Sequence, residues 1–166
     1  MAYIPDIIGY KPFYIQTSVD ANAIDTTQWG LVAKSNPFPI LPTPKAPYKN
    51  EWKDENGDDE YTGEMYYESI EFSVSFYIKT FATASKTAET ILREQMREFF
   101  SKVSQGEFMT YDSYTGIGRR KVRFAGYDED QFISRKNWSK AVFAVKFKAN
   151  DPITSIVLKD GKLVEE

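Results

Sequence analysis

The chain contains no cysteine and no histidine. A disulfide framework is therefore impossible, and nothing in the sequence fixes a redox compartment. Zinc sites built on either residue are excluded, as is ligation of haem or iron–sulfur clusters by them. No nucleophile–base pair using Cys or His is available. An enzyme relying on carboxylates, Lys or Tyr remains open by count alone. Long apolar runs are also missing, with no stretch of about 18 apolar residues. The segment Met1 to Tyr10 holds Pro5 and Asp6 and lacks a basic start. Neither a signal peptide nor a membrane-spanning helix is expected. A surplus of one charge is lacking too: 21 Lys and Arg face 24 Asp and Glu, a net charge of -3. That balance argues against a dedicated nucleic-acid binder.

Aromatics are abundant: 12 Phe, 11 Tyr and 3 Trp in 166 residues. Bulky rings favour sheet surfaces and interfaces. The length suits a single domain, 1–166, with a real core. Ile70, Phe72, Val74, Phe76 and Ile78 alternate with Ser69, Glu71, Ser73, Ser75, Tyr77 and Lys79. A period of two predicts an antiparallel strand with one buried and one wetter face. Lys140 to Ala149 repeats the pattern, with Ala141, Phe143, Val145, Phe147 and Ala149 on one face. A short strand or arm is expected over Ile7, Ile8, Tyr10, Phe13, Tyr14 and Ile15, interrupted by Gly9 and Pro12. A second short apolar stretch surrounds Trp29, Leu31 and Val32, and strands are expected over Phe108 to Asp112 and over Arg120 to Tyr127. A polar loop is expected over Ser18 to Gln28.

One helix is predicted over 86–104, capped by Ser85 and ended by Gly106. Ala88, Leu92, Met96, Phe99 and Val103 recur every three or four residues, and Ile91 and Phe100 widen that stripe. Glu89–Arg93 is a favourable i,i+4 pair and Glu94–Glu98 an unfavourable one, so docking of the stripe must hold the helix. Asp160-Gly161 between short apolar runs predicts a terminal hairpin within 154–165. The pattern is a mainly β fold, a β-sandwich or antiparallel split barrel, with one packed α-helix.

Residues 36–65 stand apart. Pro37, Pro39, Pro42, Pro44 and Pro47 forbid a helix and favour an extended, polyproline-like chain. Seven carboxylates between Glu51 and Glu64 follow, against Lys53 alone. The segment is read as an arm, a long loop or a projecting hairpin, that packs against another subunit. This arm and the terminal hairpin are the natural elements to cover a neighbour's strand edges. Asp54, Asn56 and Asp58 match the first three EF-hand positions, but Asp59 and Met65 stand where Gly and Glu are required. A solvated acidic turn is the reading.

Arg119, Arg120, Lys121 and Arg123 form the one dense basic cluster, with Tyr111 and Tyr114 near in sequence. No Walker loop accompanies them. A charge-complementary contact with a neighbouring subunit, or a plain solvated strand edge, is expected. Trp29, Tyr77 and Trp138 are candidate interface anchors beside Arg119, Arg120 and Arg123. Glu68 and Glu71 border the first strong strand without a context that would raise a carboxyl pKa. No G-x-S-x-G or S-x-x-K motif occurs, so no catalytic, metal or cofactor-binding residue is assigned. Asn137-Trp138-Ser139 is a formal glycosylation sequon with no secretory context.

The order of these pieces resembles the N-terminal domain of siphophage distal tail proteins, across about residues 1–152. The resemblance rests on Trp29-Gly30-Leu31-Val32, the alternating strand leading into a helix with Leu92 and Phe99-Phe100, the short strand ending near Tyr111, the basic strand Arg119 to Tyr127, and the close Phe147-Lys148-Ala149-Asn150-Asp151-Pro152. It implies a tail-tube-like fold and a non-catalytic, ring-forming baseplate hub protein joining tube to tip. It further implies hexameric homo-oligomers, other tail or baseplate proteins as partners, and a channel through which DNA can pass without specific binding. The location implied is the virion tail, and the bacterial cytoplasm before assembly, with no membrane partner. The family carries a second, C-terminal domain, whereas 14 residues follow Pro152 here. A tail tube protein or tube-like injection-system component is thus the close alternative. A monomeric carbohydrate- or peptide-binding β-sandwich using Tyr66, Tyr67, Tyr77 and Trp138 is the alternative of another class.

Overall fold

Alternation decides the centre of the fold. In the computed structural model, which describes residues 12–35, 41–50, 53, 56–57, 59–60 and 63–166, the two patterned segments are adjacent antiparallel strands. With β1 (Phe13–Gln16), β2 (Ile24–Asp25), β3 (Val32–Ser35), β4 (Lys49–Asn50) and β5 (Asp59–Glu60) before them in the chain, they are β6 (Ile70–Phe81) and β9 (Trp138–Ala149). They pair without a break from Ile70↔Ala149 to Phe81↔Trp138. Because both alternate in phase, one face collects the buried apolar pairs: Phe72 opposite Phe147, Val74 opposite Val145, Phe76 opposite Phe143.

β7 (Phe108–Asp112) and β8 (Ile117–Ser134) complete an antiparallel sheet of order β2-β1-β7-β8-β9-β6-β3. The sheet cannot be flat. Seven strands in a plane would set β2 and β3 about 29 Å apart. Yet only residues 26–31 join them, and four of these, Thr26–Trp29, are wound into a 3-10 turn. Seven fully extended residue steps reach only about 25 Å, and a wound connection much less. The core confirms the curl. Phe13 on β1 and Phe76 on β6 are separated by three intervening strands, yet their ring centroids are 5.9 Å apart. The result is a split barrel in which one sheet forms both walls.

The helix α1 (Ala88–Val103) fills the mouth of the curl. Leu92, Phe99 and Val103 are buried, and Phe99 meets Trp29 at 5.5 Å and Phe76 at 5.7 Å edge-on. The helix starts two residues later than the sequence suggests. Thr83 accepts from the Lys86 N–H through its hydroxyl and donates its own N–H to the Lys86 carbonyl, so 83–86 forms a separate turn. Thr87 is the cap and accepts from the Thr90 N–H at 3.3 Å. At the other end Ser104, not Gly106, is the C-cap; Gly106, with φ of 109°, redirects the chain into β7. Residues 18–28, expected as a loop, include β2 and the start of the 3-10 turn, whose cap Asp25 accepts from the Thr27 N–H.

The last two strands, β10 (Ile156–Lys159) and β11 (Lys162–Glu165), form the expected hairpin. Asp160 and Gly161 both have positive φ, 51° and 77°. That is the primed turn that matches strand twist. The hairpin lies on its own chain. Ile156 and Leu163 are buried, the Ala23 N–H donates to the Gly161 carbonyl, and Gln16 acts as a surrogate strand. The Gln16 Oε1 accepts from the Leu163 N–H at 2.7 Å, while Nε2 donates to the Ser18 carbonyl at 2.9 Å and the Leu163 carbonyl at 3.4 Å. Gln16→Ala would strand a buried N–H and C=O. The expected cost is about 2–3 kcal/mol, read as a lower urea midpoint with an unchanged m-value.

Candidate assembly surface

Two faces of the sheet are chemically distinct because the pleat separates them. The face away from α1 carries rows of paired residues. Glu71 lies opposite Lys148, which lies opposite Arg123; Tyr77 opposite Val142; Lys79 opposite Lys140; Phe81 opposite Trp138. Lys79 Nζ sits 4.9 Å from the Trp138 ring centroid and 5.4 Å from that of Phe81, and Lys140 Nζ sits 5.3 Å from Tyr77. Cation–π contacts of this kind hold the ammonium groups over the rings. Lys146 pairs with Asp128 at 3.1 Å. The face is half-wet, basic and aromatic.

The six expected interface residues divide. Tyr77, Trp138 and Arg123 do lie on this face. Trp29 does not: it is 5% exposed and packed on Phe99 inside the barrel, because the 3-10 turn aims it inward. Arg119 is also buried. Burial pulls its guanidinium below the ordinary arginine value, and the charge of Asp151 opposes that pull. Arg120 is engaged within the chain, donating Nε to Asp151 and Nη1 to Glu165. The bond to Asp151 pushes its pKa up. The basic run therefore does not form one patch. The pleat parts its members, and a register irregularity at Lys121, φ 52°, shifts the rest.

Asp151 ties the hairpin to the barrel. Burial alone would raise its pKa. The Thr154 N–H, the Arg120 guanidinium, the Thr154 hydroxyl and the Ile153 N–H together outweigh that and hold it well below the usual carboxylate range. A depressed folded-state pKa means the charge stabilises the fold fully above the unfolded value of about 4, and that this is lost as pH falls below it. Asp151→Asn should therefore lower the thermal midpoint at pH 7 and flatten its decline below pH ~4, as measured by circular dichroism melts.

The long edge of β8 carries no sequence signal of its own. Strand β9 pairs with β8 from Val122 to Ser134, but β7 pairs with it only from Ile117 to Val122. Among the described residues, no strand lies on that side of 123–134. Tyr127 and Phe132 on this stretch are 59% and 47% exposed. Beside it, a groove of about 590 Å³ runs between α1 and β8, lined by Met96, Arg97, Phe100, Phe124 and Tyr127 among others. Phe100 and Phe124 meet edge-on at 5.6 Å there.

The 36–65 segment is a hairpin where described. Its legs join through a Pro44↔Tyr67 bridge, with the Lys45 N–H donating to the Tyr66 carbonyl and the Glu68 N–H to the Thr43 carbonyl. Those two bonds flank Pro44, which occupies a non-hydrogen-bonded pair, so its missing N–H costs nothing. β4 pairs with β5 further out. Asp54, Glu55 and Asp58 of the acidic turn lie outside the described residues, as do Pro37, Pro39 and the Ile7 to Tyr10 part of the expected N-terminal strand. Glu68 and Glu71 line an open cleft with Lys45 and Asn150 and are both exposed. The buried Asp112 is committed to a turn, accepting from the Thr115 N–H and hydroxyl. Among the described residues no group of three or more Asp and Glu is placed to hold a metal. No described helix is long and apolar enough to cross a membrane.

No family model matches the chain. No curated protein matches it. Among solved structures it is similar to SPP1 Dit (gp 19.1), described as a paradigm of the hub adsorption apparatus in phages that infect Gram-positive bacteria, with a TM-score of 0.60 at 13% identity. The match covers 88% of this chain and 52% of the other, so this chain spans about half that protein's length. The curled sheet with one described helix across its mouth is thus similar in fold to about half of that protein.

Proposed function

We propose that this chain is a structural subunit of a phage or prophage tail, assembling into a ring at the distal end where tube meets tip. A hexamer is the proposed ring, with other tail or baseplate proteins as its neighbours. One observation carries the reading: the open side of β8 over 123–134. A free edge of that length, with exposed rings, invites pairing with another chain, and soluble monomers normally shorten, charge or cover such edges. Among the described residues, the opposite margin of the sheet is also incompletely covered, since β3 pairs there only with Ser75 to Tyr77 of β6. Joining β8 of one copy to the β3/β6 margin of the next is a heterologous contact that closes by rotation. The half-wet basic face would then line the central opening. The similarity to SPP1 Dit supports a tail role.

The carbohydrate-platform alternative fits less well. Ammonium groups already occupy the Tyr77 and Trp138 rings that a sugar would need. The terminal hairpin, expected to cover a neighbour's edge, is held on its own chain by Gln16 and the Ala23 N–H. That leaves the 36–65 arm as the element available to reach a neighbour.

The test is light scattering across concentrations, with negative-stain images at the highest. Wild type should form closed rings of one size. Tyr127→Lys with Phe132→Lys should abolish them while shifting stability by no more than about 0.5 kcal/mol, since both side chains are exposed. A wild-type chain that stays monomeric at every concentration would defeat the proposal.

A further inference from the structure

The arm and the helix groove are each incomplete, and in complementary ways. Leu41, Tyr48, Met65 and Tyr66 on the arm are 79%, 75%, 61% and 64% exposed. Such a concentration of exposed apolar side chains on one projection marks a contact surface. The groove between α1 and β8 is similarly open, with Phe100 53% and Tyr127 59% exposed. Among the described residues, none of the arm lines it. Charge completes the match. Arg97 lines the groove and, among the described residues, no carboxylate does, while the arm carries Glu60 and Glu64 beside Met65 and Tyr66.

We infer that the arm of one copy docks into the α1–β8 groove of the next. The occupant is thus a second copy of this chain, with Tyr48, Met65 and Tyr66 laid on Phe100, Phe124 and Tyr127, and Glu60 or Glu64 set against Arg97. Topology favours this partner. The arm leaves the sheet just after β3 and returns into β6, the margin assigned to close against β8 of the neighbour. The groove lies along that same stretch of β8. A copy whose margin meets the β8 edge therefore carries its arm root to the groove. The inference rests on the ring reading and adds which surfaces lock it.

The chain's lack of cysteine gives a clean test. Ser101 and Ser104 also line the groove. Met65→Cys and Ser101→Cys are made separately in the full chain, mixed, dissociated, reassembled and oxidised. A second pair, Tyr66→Cys with Ser104→Cys, guards against one badly placed thiol. The mixture should give covalent dimers at least tenfold above either variant alone. The double variant should give a ladder ending at the ring's copy number. Rings intact by light scattering without cross-links from either pair would overturn the docking and leave the ring standing. Dimers of Met65→Cys alone at the level of the mixture, or a closed monomer from the double variant, would also overturn it. A chain monomeric throughout would remove both readings.

Discussion

Phe76→Ala is expected to destabilise the chain by about 3–5 kcal/mol, the range for emptying a buried phenylalanine site. Phe76 is completely buried and touches three separate elements: Phe13 on β1 at 5.9 Å, Phe99 on α1 at 5.7 Å and Phe143 on β9 at 6.0 Å. Those partners come from opposite walls of the curl and from the helix across its mouth. They are held from both walls of the curled sheet and by the helix and have little freedom to move into the vacancy, which places the cost at the upper part of the range. A domain of this size is stable by about 5–15 kcal/mol, so the variant loses a large share of its margin. Thermal midpoints should fall by roughly 10 °C or more. A fall of under about 2 °C would show that the two walls do not meet through this ring.

Gly118→Ala acts on a different part. An added Cβ would lie 2.2 Å from the Ile156 carbonyl oxygen and 2.8 Å from its Cβ. The obstacle is mostly backbone, so no rotamer change relieves it, and the hairpin must lift. Lifting exposes Ile156 and Leu163, each worth about 1.5–3 kcal/mol of burial, and strains the Gln16 bonds. We expect a loss of about 3 kcal/mol or more, localised to one unit. Amide exchange over 156–165 should accelerate by about two orders of magnitude or more, while β6 and β9 stay protected. Unchanged protection of Leu163 would refute the close approach.

Much of the centre is readable from the residues because period-two alternation is unambiguous when a strand has one dry face. β6, β9, the helix stripe and the Asp160-Gly161 turn all follow from such local signals. The limits are physical as well. Strand β8 continues to Ser134, well beyond the expected end at Tyr127, because Gly126 and the irregularities at 124/126 and 129/131 interrupt its alternation. Trp29 offers no sequence sign of facing inward, since a 3-10 turn of four residues has no periodicity to read. Arg119 and Arg120 are neighbours in sequence and look like one patch, yet the pleat buries the first and hands the second to Asp151 and Glu165. Proline density marks the arm as an excursion but hides its paired legs, because Pro44 sits where a missing donor goes unnoticed. The open flank of β8 depends on where β7 stops, which only the three-dimensional pairing reveals.

The short link over 26–31 has a mechanical meaning. A rolled sheet with an unfastened seam fails by peeling, one lip at a time. Here the seam is stitched by Thr26, whose hydroxyl donates to the Leu31 carbonyl at 3.0 Å and whose own carbonyl accepts from the Leu31 N–H at 3.1 Å. Tugging β2 outward pulls on β3 through this link, so the two lips are tethered by covalent chain where, among the described residues, no strand ladder joins them.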